Sequence, residues 1–225
     1  ADVTDRDAIS AAVDATVDRF GALDVCFANA GIAAARPATI VGTTEEEYER
    51  IIDVDVHGVW RTVRAALPAI TEARGHVLVT SSMYAYVNGA ANAPYGMAKA
   101  AVESMGRSLR SEMAGTGVTA GVLYPGWTRT PIIAPSHIEN EVSKELIGMA
   151  FPGPYGSPIA PERIAAAVVA GIESRRPRII CPRRWVPVSM ARGVFNMATD
   201  ALIDRDRRMQ ALLRRLDEPA EVADR

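Results

Sequence analysis

Tyr95 and Lys99 lie four residues apart near the start of an Ala-, Met- and Leu-rich stretch, Pro94 to Ala114. On a helix their side chains leave one face about one turn apart. A phenol with an ordinary pKa of ~10 exchanges protons poorly near neutrality, and an ammonium beside it favours the phenolate, each tenfold gain in that equilibrium being worth ~1.4 kcal/mol. Such a pair suits a reaction in which an oxygen gains or loses a proton while its carbon gains or loses hydride. Tyr-x-x-x-Lys at this spacing is by itself commonly surface decoration. Two features set this one apart. Of 25 basic residues only Lys99 and Lys144 are lysine, so Lys99 stands where a compact point charge fits and a planar guanidinium would not. Ser82 ends the apolar run His76 to Ser81, placing a hydroxyl at a strand end where it can hydrogen-bond a substrate oxygen beside the phenol.

The elements that must position these residues are legible in the hydrophobic pattern. Ile9, Val13, Val17 and Phe20 share one helical face, with Thr4 and Asp7 resembling a capping box at the start and Gly21 a C-cap. Leu23 to Ala28 is an apolar run broken only by Asp24, as in a strand buried on both faces of a parallel sheet. Thr44 and Glu47 repeat the capping signature before a long helix, irregular around Gly58 and Pro68, that runs towards Ala73 and is closed by Gly75. Strands are predicted over His76 to Ser81, Val118 to Tyr124 and Arg178 to Cys181, and helices over Pro94 to Ala114 and Pro161 to Ser174. Strands alternating with helices of this length indicate right-handed βαβ units, hence a doubly wound α/β fold on a parallel, Rossmann-like sheet.

Ser82, Tyr95 and Lys99 in this order and spacing resemble the catalytic set of the short-chain dehydrogenase/reductase family, and further motifs follow collinearly over about residues 1–182. Asp2-Val3 matches the pair against the cofactor's adenine ring, and Asn29-Ala30-Gly31 the turn flanking its ribose. Pro125-Gly126, with Thr128 and Thr130, matches the P-G-x-x-x-T segment that faces the nicotinamide. The resemblance implies an NAD- or NADP-dependent oxidoreductase acting on a secondary alcohol or ketone, in which Lys99 also bonds the nicotinamide ribose and Ser82 orients the substrate. The family's fourth catalytic residue, an asparagine three positions before a helical glycine, corresponds here to Asp55 before Gly58. A carboxylate accepts hydrogen bonds only when ionised, so its role differs from an amide's. The Gly-rich strand-to-helix turn that holds the pyrophosphate has no counterpart, Gly153 and Gly156 lying in a Pro-rich loop after no strand. The expectation is a chain that lacks the family's N-terminal strands and binds cofactor weakly.

Composition agrees with one α/β domain over 1–225, a core to about 182 and a helical extension over 183–225. A net charge of −2 offers no nucleic-acid footprint, and no segment approaches the ~18 apolar residues of a membrane span. Cys26 and Cys181 read as buried hydrophobes, and a reducing cytoplasm is the expected compartment. His57, His76 and His137 lack metal-ligand spacing, so no metal is expected. A lid over about 132–159, carrying Ile132, Ile133, Ile147, Met149 and Phe151, suggests a medium-sized apolar small-molecule substrate. In the extension, Met190, Val194, Phe195 and Met197 form an apolar stripe for docking on the domain, on another subunit or, least of the three, on a membrane, followed by an amphipathic, solvent-facing helix over Asp204 to Asp217. Family members commonly form homo-oligomers, dimers or tetramers, through helices corresponding to 45–73 and 94–114. The competing readings are a non-catalytic cofactor sensor on the same fold and an inactive truncated fragment.

Overall fold

The computed structural model describes residues 1–132 and 141–217, apart from the side chains of residues 195, 196, 198–204 and 217. Four strands, β1 (Val25–Ala28), β2 (His76–Thr80), β3 (Thr119–Pro125) and β4 (Arg178–Cys181), form one parallel sheet in that order. The segments between them are α1 (Arg6–Phe20) before the sheet, α2 (Glu45–Ile52) and α3 (Val59–Glu72) after β1, α4 (Ala93–Glu112) after β2, and α5 (Glu141–Ala150) and α6 (Pro161–Glu173) after β3. Helices α7 (Val186–Arg205) and α8 (Arg207–Asp217) follow β4.

The sheet separates two layers. Cys26, Val77, Val79, Ala120 and Val122 point to the side packed by Val59, Val63 and Ala66 of α3 and Val102 and Leu109 of α4. Leu78, Leu123 and Ile179 point to the other, against Val168 of α6. Burying each such side chain is worth about 1.5–3 kcal/mol relative to exposure. Strand β1 departs from expectation, being only half covered. Val25 and Phe27 keep 38% and 37% exposure, because among the described residues no helix covers that end of the α6 face. Among the described residues β1 is also an edge, paired with β2 alone.

Local chemistry explains the boundaries. Helix α1 is capped not by Thr4 but by Asp5, whose carboxylate accepts the Asp7 and Ala8 N–H groups at 2.9 and 3.0 Å, while Thr4 bonds Asp2 instead. Gly21 closes it at φ 81°, and Thr44 caps α2 by accepting the Glu47 N–H at 3.2 Å. The irregularity near Gly58 is a π-helical turn, Asp53–Gly58, between α2 and α3. Gly75 does help close α3, its N–H donating to the Ile70 carbonyl at 2.9 Å, but the left-handed residue is Arg74 at φ 50°. The small size of Gly75 also lets the Asp24 carbonyl approach, a Cβ there lying 2.3 Å from that oxygen.

The extension does not bury its predicted stripe. Met190, Val194 and Met197 are 77–79% exposed, and the side chain of Phe195 lies outside the described residues. Its contacts are made by Trp185 and Val188, and by Arg192, which donates to both oxygens of the buried Glu103 carboxylate on α4 at 2.7 and 2.8 Å. Helix α8 is less solvent-facing than expected, since Met209, Leu212 and Leu216 pack on Leu146 of α5. Cys26 and Cys181 are buried free thiols, and burial pushes the Cys26 thiol up to about 11. No helix among the described residues is long and apolar enough to cross a membrane.

Gly121 gives a direct test of the packing. A Cβ at this β3 position would stand 2.4 Å from the Arg176 backbone oxygen, which cannot swing away as a side-chain tip can. Gly121→Ala is expected to lower unfolding free energy by about 1–3 kcal/mol in denaturant titration. An unchanged midpoint would show that β3 and β4 separate freely here.

Candidate active site

The carboxyl ends of β1, β2 and β3 open on one cleft of about 610 Å³, the usual place for a ligand in an open α/β sheet. Asn29 and Gly31 reach it from the turn after β1, Thr80 and Ser82 from the end of β2, Tyr95 and Lys99 from α4, and Pro125, Gly126, Thr128 and Thr130 from the segment after β3.

Helix α4 is fixed to the sheet beside the chemistry. The Ser81 hydroxyl, fully buried, donates to the Lys99 carbonyl at 2.7 Å. From that turn the Lys99 ammonium sits 5.2 Å from the centre of the Tyr95 ring. Lys99 is 2% exposed and its Nζ lies 2.8 Å from Oδ2 of Asp55, which is itself fully buried. The contact is a close, buried ammonium–carboxylate ion pair. Asp55 Oδ1 accepts the Ile32 N–H at 2.7 Å, tying the π-helical turn to the segment after β1. Gly31 lies against this pair, where a Cβ would stand 2.9 Å from Nζ and 3.2 Å from Oδ2.

Ser82 is extended and nearly buried, and its hydroxyl oxygen accepts the Tyr84 N–H at 3.2 Å, capping the short turn Met83–Ala85. That use of the oxygen leaves the hydroxyl hydrogen to donate into the cleft. Asn29 Oδ1 accepts the Thr80 hydroxyl at 2.9 Å, and the Thr128 hydroxyl donates to the Gly126 carbonyl at 2.9 Å.

Three of the expected binding residues lie elsewhere. Asp2, Val3 and Ala30 do not line this cleft. Asp2 is exposed, and hydrogen bonds from the Thr4 N–H and hydroxyl hold its carboxyl below the usual range. Val3 packs against Gly58, with its carbonyl accepting from Arg61 at 3.3 Å. Of the expected lid residues, Ile132 and Phe151 line the cleft, Ile147 packs into the main core, Met149 packs beside α8, and Ile133 lies outside the described residues.

Of the aromatic wall, Phe151 was expected as a lid residue, whereas Tyr84 and Trp127 escaped the sequence reading. Tyr84 meets Tyr95 edge-on at 5.5 Å, and Trp127 and Phe151 at 6.1 and 5.9 Å. The available signal was a tyrosine between Ser82 and Tyr95 and a tryptophan next to Gly126. The two facing phenols are not equivalent. Burial pushes Tyr84 well above the ordinary phenol range, only partly offset by its hydrogen bond with Asn92, and the neighbouring Tyr95 adds to the rise. Tyr84 is therefore a fixed neutral wall. Lys144 is a surface cation paired with Glu141 at 2.6 Å. His76 is buried on Thr119 at 2.9 Å and held below its usual range by burial and the Arg175 charge, His57 is exposed beside Asp53, and His137 lies outside the described residues. No cluster able to hold a metal ion occurs among the described residues.

A family described as Enoyl-(Acyl carrier protein) reductase matches residues 1–175. An uncharacterized oxidoreductase of Listeria monocytogenes is 33% identical over 178 residues, covering 76% of this chain and 68% of the relative. The cis-4-hydroxycyclohexanecarboxylate dehydrogenase of Sinomonas cyclohexanicum is 32% identical over 168 residues, covering 74% and 65%. The chain thus spans about two thirds of the length of these relatives. Among solved structures, a short-chain dehydrogenase from Mycobacterium paratuberculosis bound to NAD superposes with a TM-score of 0.67 at 26% identity, over 80% of this chain and 69% of that one. Sequence, sheet order and the placement of Ser82, Tyr95 and Lys99 at one cleft agree, and the chain belongs to the short-chain dehydrogenase/reductase family of oxidoreductases.

Proposed function

We propose that this protein interconverts a secondary alcohol and a ketone of medium size and largely apolar surface, using NAD or NADP. The observation that carries the reading is the convergence of Tyr95, Lys99 and Ser82 on one cleft walled by Tyr84, Trp127 and Phe151. Polar hydrogen-bonding groups gathered at one end of an apolar wall are the common form of a small-molecule site.

The residues present fit the nicotinamide half of the cofactor. The Lys99 ammonium has three N–H donors, of which the Asp55 contact at 2.8 Å and the long approach to the Thr80 carbonyl at 3.5 Å use at most two, so one remains for a ribose hydroxyl. Gly31 leaves open the space beside it that a Cβ would fill. Asn29, Gly31 and Lys99 would hold the ribose, and Pro125, Gly126, Thr128 and Thr130 the nicotinamide. Asp2, Val3 and Ala30, outside the cleft, would serve the adenine side. The bound nicotinamide supplies or accepts the hydride. In reduction Tyr95 gives its hydroxyl proton to the carbonyl oxygen, and in oxidation its phenolate takes the alcohol proton. Ser82 donates a hydrogen bond to that same oxygen, and the Lys99 charge favours the phenolate. Trp60 of α3 and Met97 of α4, 55% and 53% exposed, are large apolar side chains suited to a homo-oligomer contact through those helices.

The test mixes the protein with NADH and with NADPH, follows nicotinamide fluorescence, and then screens alicyclic and short-chain ketones by loss of nicotinamide absorbance. Turnover of apolar ketones is expected. Fluorescence change without turnover of any ketone would favour a cofactor-sensing protein.

A further inference from the structure

The position that the family resemblance assigns to an asparagine holds an aspartate, and the structure turns that difference into a buried ion pair. We propose that Asp55 is a positioning residue whose negative charge offsets that of Lys99 and so sets the pH at which Tyr95 exchanges its proton. The inference rests on the reading of Tyr95 as the acid/base group.

The geometry is specific. Asp55 is fully buried, Lys99 is 2% exposed, and the two charges are 2.8 Å apart. The same ammonium lies 5.2 Å from the Tyr95 ring centre. A carboxylate this close makes the pair nearly neutral as seen from Tyr95, so the phenolate receives less stabilisation than a lone ammonium would give. Among the described residues, no other charged group takes over this role. On α4, Glu103 is engaged by Arg192 at 2.7 Å. On the π-helical turn, Asp53 and His57 occupy an exposed face, Asp53 pairing with Arg61 at 2.8 Å. From the turn after β2, Tyr84 faces Tyr95 as a neutral phenol, and from β2 itself only the Thr80 carbonyl reaches the ammonium, at 3.5 Å. After β3, Arg129 is exposed and donates to the Pro158 carbonyl at 3.2 Å. The segment after β1 brings Asn29 and Gly31, neither of which titrates.

Asp55→Asn keeps the shape and the acceptor for the Ile32 N–H while removing the charge. The Tyr95 phenolate signal is read by near-ultraviolet absorbance titration of each protein, subtracting the same protein carrying Tyr95→Phe. Its midpoint is expected to fall by about one pH unit in Asp55→Asn. In kinetics, the acid limb for alcohol oxidation should move the same way and the alkaline limb for ketone reduction should fall earlier, whereas a merely structural role would scale both directions without moving either limb. A midpoint that stays in place or rises, as it would if Lys99 lost its proton together with its partner, overturns the proposal. If Asp55→Asn does not fold, Asp55→Ser removes the same charge and retains an oxygen for Ile32. The titration needs no substrate, so a shifted midpoint in a protein without turnover would reject the catalytic reading alone, and an unshifted midpoint in an active enzyme would reject the role of Asp55 alone.

Discussion

Tyr95→Phe is expected to lower turnover by about 10²–10⁴-fold, the contribution typical of a positioned acid/base group, with little change in unfolding midpoint. The ring remains, so the edge contact with Tyr84 at 5.5 Å and the ammonium over its face at 5.2 Å are retained. Only the proton carrier is removed. Because hydride addition to a carbonyl leaves an alkoxide that must be protonated, the loss should be as large in reduction as in oxidation. Tyr84→Phe is the matched comparison. Its phenol is held neutral by burial, so that variant should alter apparent substrate affinity more than turnover. Steady-state rates in both directions decide the matter, and turnover within tenfold of wild type in Tyr95→Phe would remove it from the mechanism.

Much of this site could be read from residue types. A hydroxyl at a strand end and a phenol four residues before a rare lysine carry their chemistry in their identities, and hydrophobic periodicity located the strands that deliver them. β4 was bounded to the residue, because Arg178 to Cys181 is a short apolar run between turn formers. What stayed hidden depended on tertiary approach. Nothing local distinguishes Ser81, whose hydroxyl holds the Lys99 carbonyl, from Ser82, whose hydroxyl faces the cleft. Tyr84, Trp127 and Phe151 come together only after the segments following β2 and β3 fold over one another. Gly75 was legible as part of a helix end, but not that its small size also admits the Asp24 carbonyl, a contact set by the β1–β2 register. The exposed stripe on α7 shows the limit of helical periodicity: it marks which residues share a face, not whether another element covers them. The Asp55–Lys99 pair is intermediate, since each residue could be singled out, but a 2.8 Å contact across 44 residues of chain could not.

That pair yields the other large effect. Lys99→Met leaves the fully buried Asp55 carboxylate without its counter-charge, and an orphaned buried charge typically costs ~3–5 kcal/mol of stability. Turnover should be lost at the same time, because neither the ammonium beside Tyr95 nor the ribose donor remains. The two losses have different origins and can be separated. In the double variant Lys99→Met, Asp55→Asn the uncompensated charge is gone, and replacing both members of a buried pair by neutral groups is often close to neutral for stability. The Asn side chain still offers an oxygen to the Ile32 N–H, which Asp55 satisfies at 2.7 Å. Stability is therefore expected to return to within about 1–2 kcal/mol of wild type, while activity stays at the level of the single Lys99→Met variant. Denaturant unfolding and steady-state kinetics on the three proteins read the two quantities independently. If activity returned together with stability, Lys99 would be a structural partner of Asp55 and no part of the proton chemistry. If stability failed to return, the loss in the single variant would come from the other contacts of the ammonium, such as that with the Thr80 carbonyl, or from the fit of the methionine thioether, not from the stranded carboxylate.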